Sequence, residues 1–286
     1  MLRFPARTQS PKTLAPILGN DDEFNNLMRR TRMLFDNLEY LSIENQTTDF
    51  PKHFHETFCI SLIHNGIEQI DFDNQTLFSE KGSISITNPY EIHSNPLTDK
   101  DICLKFDTIY LSNDLMKYLL NGQNIKFANR KINSEKANQL FMELKYAIDT
   151  KNPEYVEFSL KQFVNTLKIY SQENTKKYCE QNLYEFKDVS NYIEHNICEK
   201  FCLDELSKIA NINKYGFIKK FKISTGMTPI NYILMKKIFA SKTLINPNSD
   251  ITELAYLYNF CDLAHFSKTF KQYIGISPKK FQSSLI

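Results

Sequence analysis

Ten side chains in the last third of the sequence have the types and spacing to grip a nucleic acid. Lys214, Tyr215, Ile218, Lys219 and Lys222 fall in one segment, and Leu263, Ala264, His265, Lys268 and Lys271 in a second, where all but His265 stand 49 residues after a member of the first set. On a helix, positions three and four apart share one face. Such a face can offer lysines to phosphate oxygens or guanine edges and small apolar groups to thymine methyls. A lysine-rich helix face is more often only a solvated one; the repetition at equal spacing is what argues for nucleic acid. The six cysteines, Cys59, Cys103, Cys179, Cys198, Cys202 and Cys261, contain no CxxC pair. They read as inert thiols, although Cys198 and Cys202 would share a helix face. No disulfide framework or zinc cluster is indicated.

The elements that carry the ten residues are themselves duplicated. FIKKFKISTGMTP from Phe217 has the same skeleton as FSKTFKQYIGISP from Phe266, and upstream Glu205, Leu206 and Asn211 match Glu253, Leu254 and Asn259. Each copy reads as helix, tight turn, helix. Leu203, Leu206, Ile209 and Ala210 form one apolar stripe, and Ile251, Leu254, Ala255 and Leu257 the other. Asn211 and Asn259 suit the left-handed end of a helix, while Asn213 and Asp262 suit the cap of the next. Phe217 with Phe221, and Phe266 with Phe270, stand at i, i+4 as core anchors. Each copy closes on Gly-x-[ST]-Pro, which stops one helix and starts another. The helix from Pro229 to the break at Asn246-Pro247 is a rod of roughly 24 Å. It would hold the two outward faces in successive major-groove segments, about 34 Å apart.

Composition agrees with two functional halves. The 286 residues are 42% hydrophobic and carry net charge +2, but from Phe186 onward the net charge is +6 and before it −4. The opening segment, MLRFPARTQSPKTLAPILGN, has three prolines and no apolar stretch of the signal-peptide kind. No later run is long and apolar enough for a membrane helix, so a cytoplasmic protein without a membrane partner is expected.

The front half changes period along its length. A helical pattern near Leu27 to Leu38 precedes strand-like alternation at Phe58, Ile60 and Leu62, with a tight hairpin expected at Asn65-Gly66 and further strands over Ile67 to Phe72, at Ile84 and Ile86, and at Ile102, Leu104 and Phe106. Helical stripes follow, with Phe141, Leu144, Lys145 and Ile148 on one and Phe158, Phe163, Leu167 and Tyr170 on the next. The second serves packing or a dimer seam. The polar run SQENTKKYCEQN reads as a linker.

Residues Val189 to Phe281 resemble the DNA-binding domain of the AraC/XylS family of bacterial transcription regulators. The motif rests on Ile251, Glu253, Leu254, Ala255, Phe260, Phe266, Lys268, Phe270, Lys271, Gly275, Ser277 and Pro278. The resemblance implies base reading by Tyr215, Ile218 and Lys219 in the first unit and by Leu263, Ala264 and Lys268 in the second. Asn259 stands where the family has glycine, Ser241 where it has alanine and Lys237 where it has arginine. HFHETFCISLIHNG (53–66) and GSISITNPYEIHSN (82–95) are similar to the signature strands of the family's cupin-like sensory domain, which would bring His53, His55 and His93 to the barrel mouth. Cupin enzymes use such histidines for a metal together with a carboxylate a few residues on. Here those positions hold Cys59 and Ile60, and Glu56 would face the other side of the strand.

The expected architecture is therefore a two-domain α+β chain: a cupin-like antiparallel β-barrel with following helices, then an all-α domain of two helix-turn-helix units joined by a long helix. Its segments would be a loosely ordered 1–25, a ligand-sensing and dimerisation domain over 26–170, a linker over 171–185 and a DNA-binding domain over 186–286. The implied function is a DNA-binding transcription regulator, not an enzyme, with no cofactor. Its partners would be double-stranded DNA, a small-molecule effector at His53, His55 and His93, RNA polymerase, and a second copy in a homodimer. A cupin metalloenzyme, a metal-dependent sensor and a regulator controlled by a protein partner are the alternatives.

Overall fold

A computed structural model describes residues 37–98, 103–176, 178 and 181–285. Most of the expected helix near Leu27 to Leu38, the N-terminal segment and Ile102 lie outside them. Eleven strands occupy the described front half: β1 (Leu38–Gln46), β2 (Phe50–His53), β3 (Phe58–Asn65), β4 (Ile67–Phe72), β5 (Thr76–Glu80), β6 (Ile84–Thr87), β7 (His93–Asn95), β8 (Leu104–Leu111), β9 (Ile125–Phe127), β10 (Lys131–Ile132) and β11 (Ser171–Glu173). They form antiparallel sheets in the orders β1-β8-β3-β6-β10 and β2-β7-β4-β5, with β9 and β11 as a small separate pair.

The expected hairpin at Asn65-Gly66 is a corner instead. β3 pairs with β8 and β6 in one sheet, while β4 pairs with β5 and β7 in the other. Gly66 has φ +79, and a Cβ there would lie 3.1 Å from Leu104 Cα. A tight turn and a sheet-to-sheet corner demand the same positive φ, so the dipeptide alone does not separate them. β1 and β2 carry no sustained alternation. Leu41 and Ile43 are buried, but charged and polar neighbours interrupt the pattern.

The five-stranded sheet turns Phe58, Ile60, Leu62, Ile84 and Ile86 toward helices α1 (Asn113–Leu119), α2 (Glu135–Thr150) and α3 (Pro153–Leu167), with which they share one apolar cluster. By alternation Cys59, Ser61, Ser85, Thr87 and Thr108 take the other face, and they line the barrel interior. In α3 the buried stripe is Val156, Leu160, Phe163 and Leu167. The expected Phe158 is 61% exposed, because a position two residues off that stripe lies about 200° round the helix.

The back half is helical: α4 (Lys187–His195), α5 (Leu203–Ile209), α6 (Lys214–Thr225), α7 (Pro229–Leu244), α8 (Ile251–Leu257), α9 (Leu263–Ile274) and α10 (Pro278–Ser283). Phe217, Phe221, Phe266 and Phe270 are fully buried. Leu257 is exposed and Tyr258 takes the buried place, since α8 ends there and Asn259 turns the chain at φ +57. One apolar cluster runs from these phenylalanines into Ile43, Phe50, Phe54, Ile92 and Phe106 of the barrel. The helical half is thus docked on the barrel mouth.

Candidate nucleic-acid interface and ligand cavities

Each outward face begins at a capped helix end. The Asn213 side chain accepts from Gly216 N at 2.9 Å to start α6, and Asp262 accepts from His265 N at 2.6 Å to start α9. Asn211 and Asn259 adopt φ +53 and +57 in the preceding turns. Asn259 also donates through Nδ2 to the Cys198 carbonyl at 2.8 Å, a bond that glycine lacks. Thr228 and Ser277 cap the helices that follow, each with proline in the first turn.

The two faces differ in how much they expose. Tyr215, Lys219 and Lys222 are exposed on α6; Lys214 is half-buried in an ion pair with Asp204 at 2.9 Å, and Ile218 is half-buried against the core. On α9, Leu263, Ala264, His265 and Lys268 are exposed. His265 Nδ1 lies 3.3 Å from Cys261 Sγ. Lys271 departs from the expected outward set, since its ammonium donates to Thr47 Oγ1 of the barrel at 2.8 Å. The N-terminal half of α9 is open to a ligand while its C-terminal half is seated on the barrel.

Lysines of α7 hold the arrangement together. Lys237 Nζ donates to the carbonyls of Glu199 and Tyr258, each at 2.7 Å, and burial lowers its pKa. It ties the rod to the C-terminal end of α8, where carbonyls need donors. Lys236 reaches Glu56 of the barrel at 3.2 Å and Glu194 of α4 at 2.9 Å, and Lys242 reaches Glu39 of β1 at 2.5 Å. Glu56 was expected on the opposite side of a strand from His55, but both lie in the bend between β2 and β3, where the Glu56 carboxylate meets Lys236.

His53, His55 and His93 do come together. His53 and His93 are register partners on β2 and β7, and His53 Nε2 lies 3.2 Å from His55 Nε2. Burial holds all three rings well below the usual imidazole range, His93 at about 4. They line a cavity of about 30 Å³ with Cys59, Glu68 and Asn95. Glu68 receives hydrogen bonds from Ser85 and Asn95, and burial pushes its carboxyl up to about 7. It was legible as the residue two positions before the inward-facing Ile70 on β4.

A second cavity, of about 710 Å³, lies between the barrel and the helical half. Phe54, His55, Tyr110, Phe239, Ile274 and Phe281 line it, with Lys236 and Lys242 at its polar edge. Sequence reasoning missed it because its walls come from segments far apart in the chain. Among the described residues, no helix is long and apolar enough to cross a membrane.

Comparison with known proteins follows the same division. Residues 37–162 match the family of AraC-like ligand binding domains, and residues 206–284 match a helix-turn-helix domain family. The HTH-type transcriptional activator RhaS of an Enterobacter species is 20% identical over 82% of this chain and 87% of its own length. An uncharacterized HTH-type transcriptional regulator of Bacillus subtilis, YbfI, is 24% identical over 76% of this chain and 81% of its own. The probable transcriptional regulator LumQ of Photobacterium leiognathi is 33% identical, over 33% of this chain and 38% of its own. Among solved structures, an apo variant of ToxT from Vibrio cholerae shares the fold, with TM-score 0.53 and 17% identity over 87% of this chain and 97% of that one.

Proposed function

Since the chain is a transcription regulator of the AraC family, with an N-terminal ligand-binding domain and a helix-turn-helix domain, we propose that α6 and α9 are its two DNA-reading helices. Lys219, Lys222 and Lys268 meet phosphates, and Tyr215, Ile218, Leu263, Ala264 and His265 face base edges. The observation that carries this reading is the pair of capped units with exposed lysines at equivalent places, Lys219 and Lys268. The reading positions differ between the copies, so the operator is two unlike half-sites. Residues 26–170 form the sensory part, 171–185 join the two, and 186–286 read DNA.

The effector of this reading is an organic molecule in the cavity between the domains. A space of about 710 Å³ fits the usual range for such ligands, whereas about 30 Å³ at the histidines does not. A ligand there touches both domains and so can bias how they dock. RhaS being named an activator, activation through contact with RNA polymerase is the direction we favour, with a homodimer as the working unit. Such a protein acts in the cytoplasm, where bacterial DNA is, and the reading assigns it no catalysis.

The test is a binding isotherm on the operator at two salt concentrations. Lys219→Ala and Lys268→Ala should each weaken binding about tenfold and reduce the salt slope by about 1. Unchanged affinity in both variants would sink the assignment.

A further inference from the structure

The barrel interior supports a second conclusion, independent of how the protein reads DNA. We infer that His53, His55 and His93 together bind one divalent transition-metal ion. One ligand nitrogen from each lies within 4.8 Å of the other two. Nδ1 of His53 is 2.7 Å from the Pro51 carbonyl oxygen, and Nδ1 of His93 is 2.7 Å from that of Glu91. A carbonyl only accepts, so both Nδ1 atoms carry the proton and both Nε2 atoms keep a lone pair. Backbone carbonyls fix the tautomer of metal-ligating histidines in this manner.

The spacing fits as well. Nitrogens bound to zinc at about 2.0 Å in a tetrahedron stand about 3.3 Å apart, and Nε2 of His53 and His55 are separated by 3.2 Å. His55 ligates through Nε2 once its proton moves to Nδ1, a tautomer change that releases no net proton. The cavity, about 30 Å³, has room for an ion and a water or two but not for an organic effector. Three imidazoles select zinc, nickel, cobalt or copper over magnesium or calcium. The site is roofed from the helical half: the Tyr273 ring of α9 is centred 6.4 Å from that of His53, and the Phe239 ring of α7 5.5 Å from that of His55.

Full-length protein stripped with a chelator and dialysed is titrated with Zn²⁺ and with Co²⁺, and bound metal is counted after gel filtration. One equivalent per chain is expected, with edge X-ray absorption of the unaltered protein showing imidazole nitrogens at about 2.0 Å. His55→Gln and His93→Gln each lower the affinity at least about hundredfold, with folding checked by circular dichroism, and the exposed His195→Gln leaves it unchanged. Should the variants misfold, the absorption spectrum of the unaltered chain decides alone. A stoichiometry near zero, sulfur in place of nitrogen around the metal, or binding that survives loss of His93 overturns the proposal. None of these outcomes touches operator binding, which the lysine variants test separately.

Discussion

Asp107 illustrates how one residue decides a local balance. Its side chain is buried on β8 and its Oδ2 receives Lys145 Nζ at 2.9 Å and His64 Nε2 at 2.9 Å. Burial alone would raise its pKa, but hydrogen bonds from Ser42, Lys145 and His64 outweigh it and bring the carboxyl to about 2. A folded pKa below the unfolded value contributes stability that is present above about 4 and lost as pH falls toward 2. The shift corresponds to about 2 kcal/mol. Asp107→Asn should therefore melt well below wild type at pH 7, with the gap closing between pH 4 and 2. A gap independent of pH would show that packing, not charge, is what Asp107 supplies. Lys145, read from sequence as part of an apolar stripe, belongs to this network through its ammonium, while the buried stripe of its helix runs through Leu140, Phe141, Leu144 and Ala147.

At the scale of elements, the two Gly-x-[ST]-Pro turns do more than end helices. Gly226 lies beside Lys52 and Ile92 of the barrel, and Gly275 beside Ile43 and Phe50. A Cβ on Gly275 would fall 2.5 Å from Ile43 Cδ1 and 2.9 Å from Phe50 Cζ, at φ +90, whereas on Gly226 the closest approach is 3.4 Å. Both side chains facing Gly275 are buried, so they yield only by disturbing the core. Gly275→Ala should cost about 2 to 3 kcal/mol and Gly226→Ala about 1, read as the difference in urea midpoint of the full chain. Equal losses would argue that backbone strain is the whole effect. The caps, the left-handed asparagines and the buried phenylalanines of both units were legible in sequence because each depends on neighbours within a few residues. The seating of Lys271, the corner at Gly66 and the cavity between the domains were not, because each depends on residues distant in the chain. The three histidines were singled out through the resemblance to the cupin-like domain, but Glu68 facing the same cavity was passed over.

For the whole molecule, the junction between barrel and helices combines a continuous apolar cluster with two ion pairs, Lys236 with Glu56 and Lys242 with Glu39. Each lysine is largely buried, Glu56 is largely exposed and Glu39 is half-buried, so each pair contributes modestly. Glu39→Gln with Glu56→Gln should leave both halves folded yet raise the rate of proteolysis between residues 171 and 186 about two- to fivefold. No change in that rate would assign docking to the apolar contacts alone. The rod α7 is fixed at three points, by Lys236, Lys237 and Lys242, and both proposed reading helices hang from it. Their relative azimuth is therefore a matter of residue count. One alanine inserted between Lys237 and Lys242 would swing the second unit by about 100° about the rod, and no change of side chain could bring its face back to the same groove. The length of a single helix is thus as much a part of the operator code as the residues that read it.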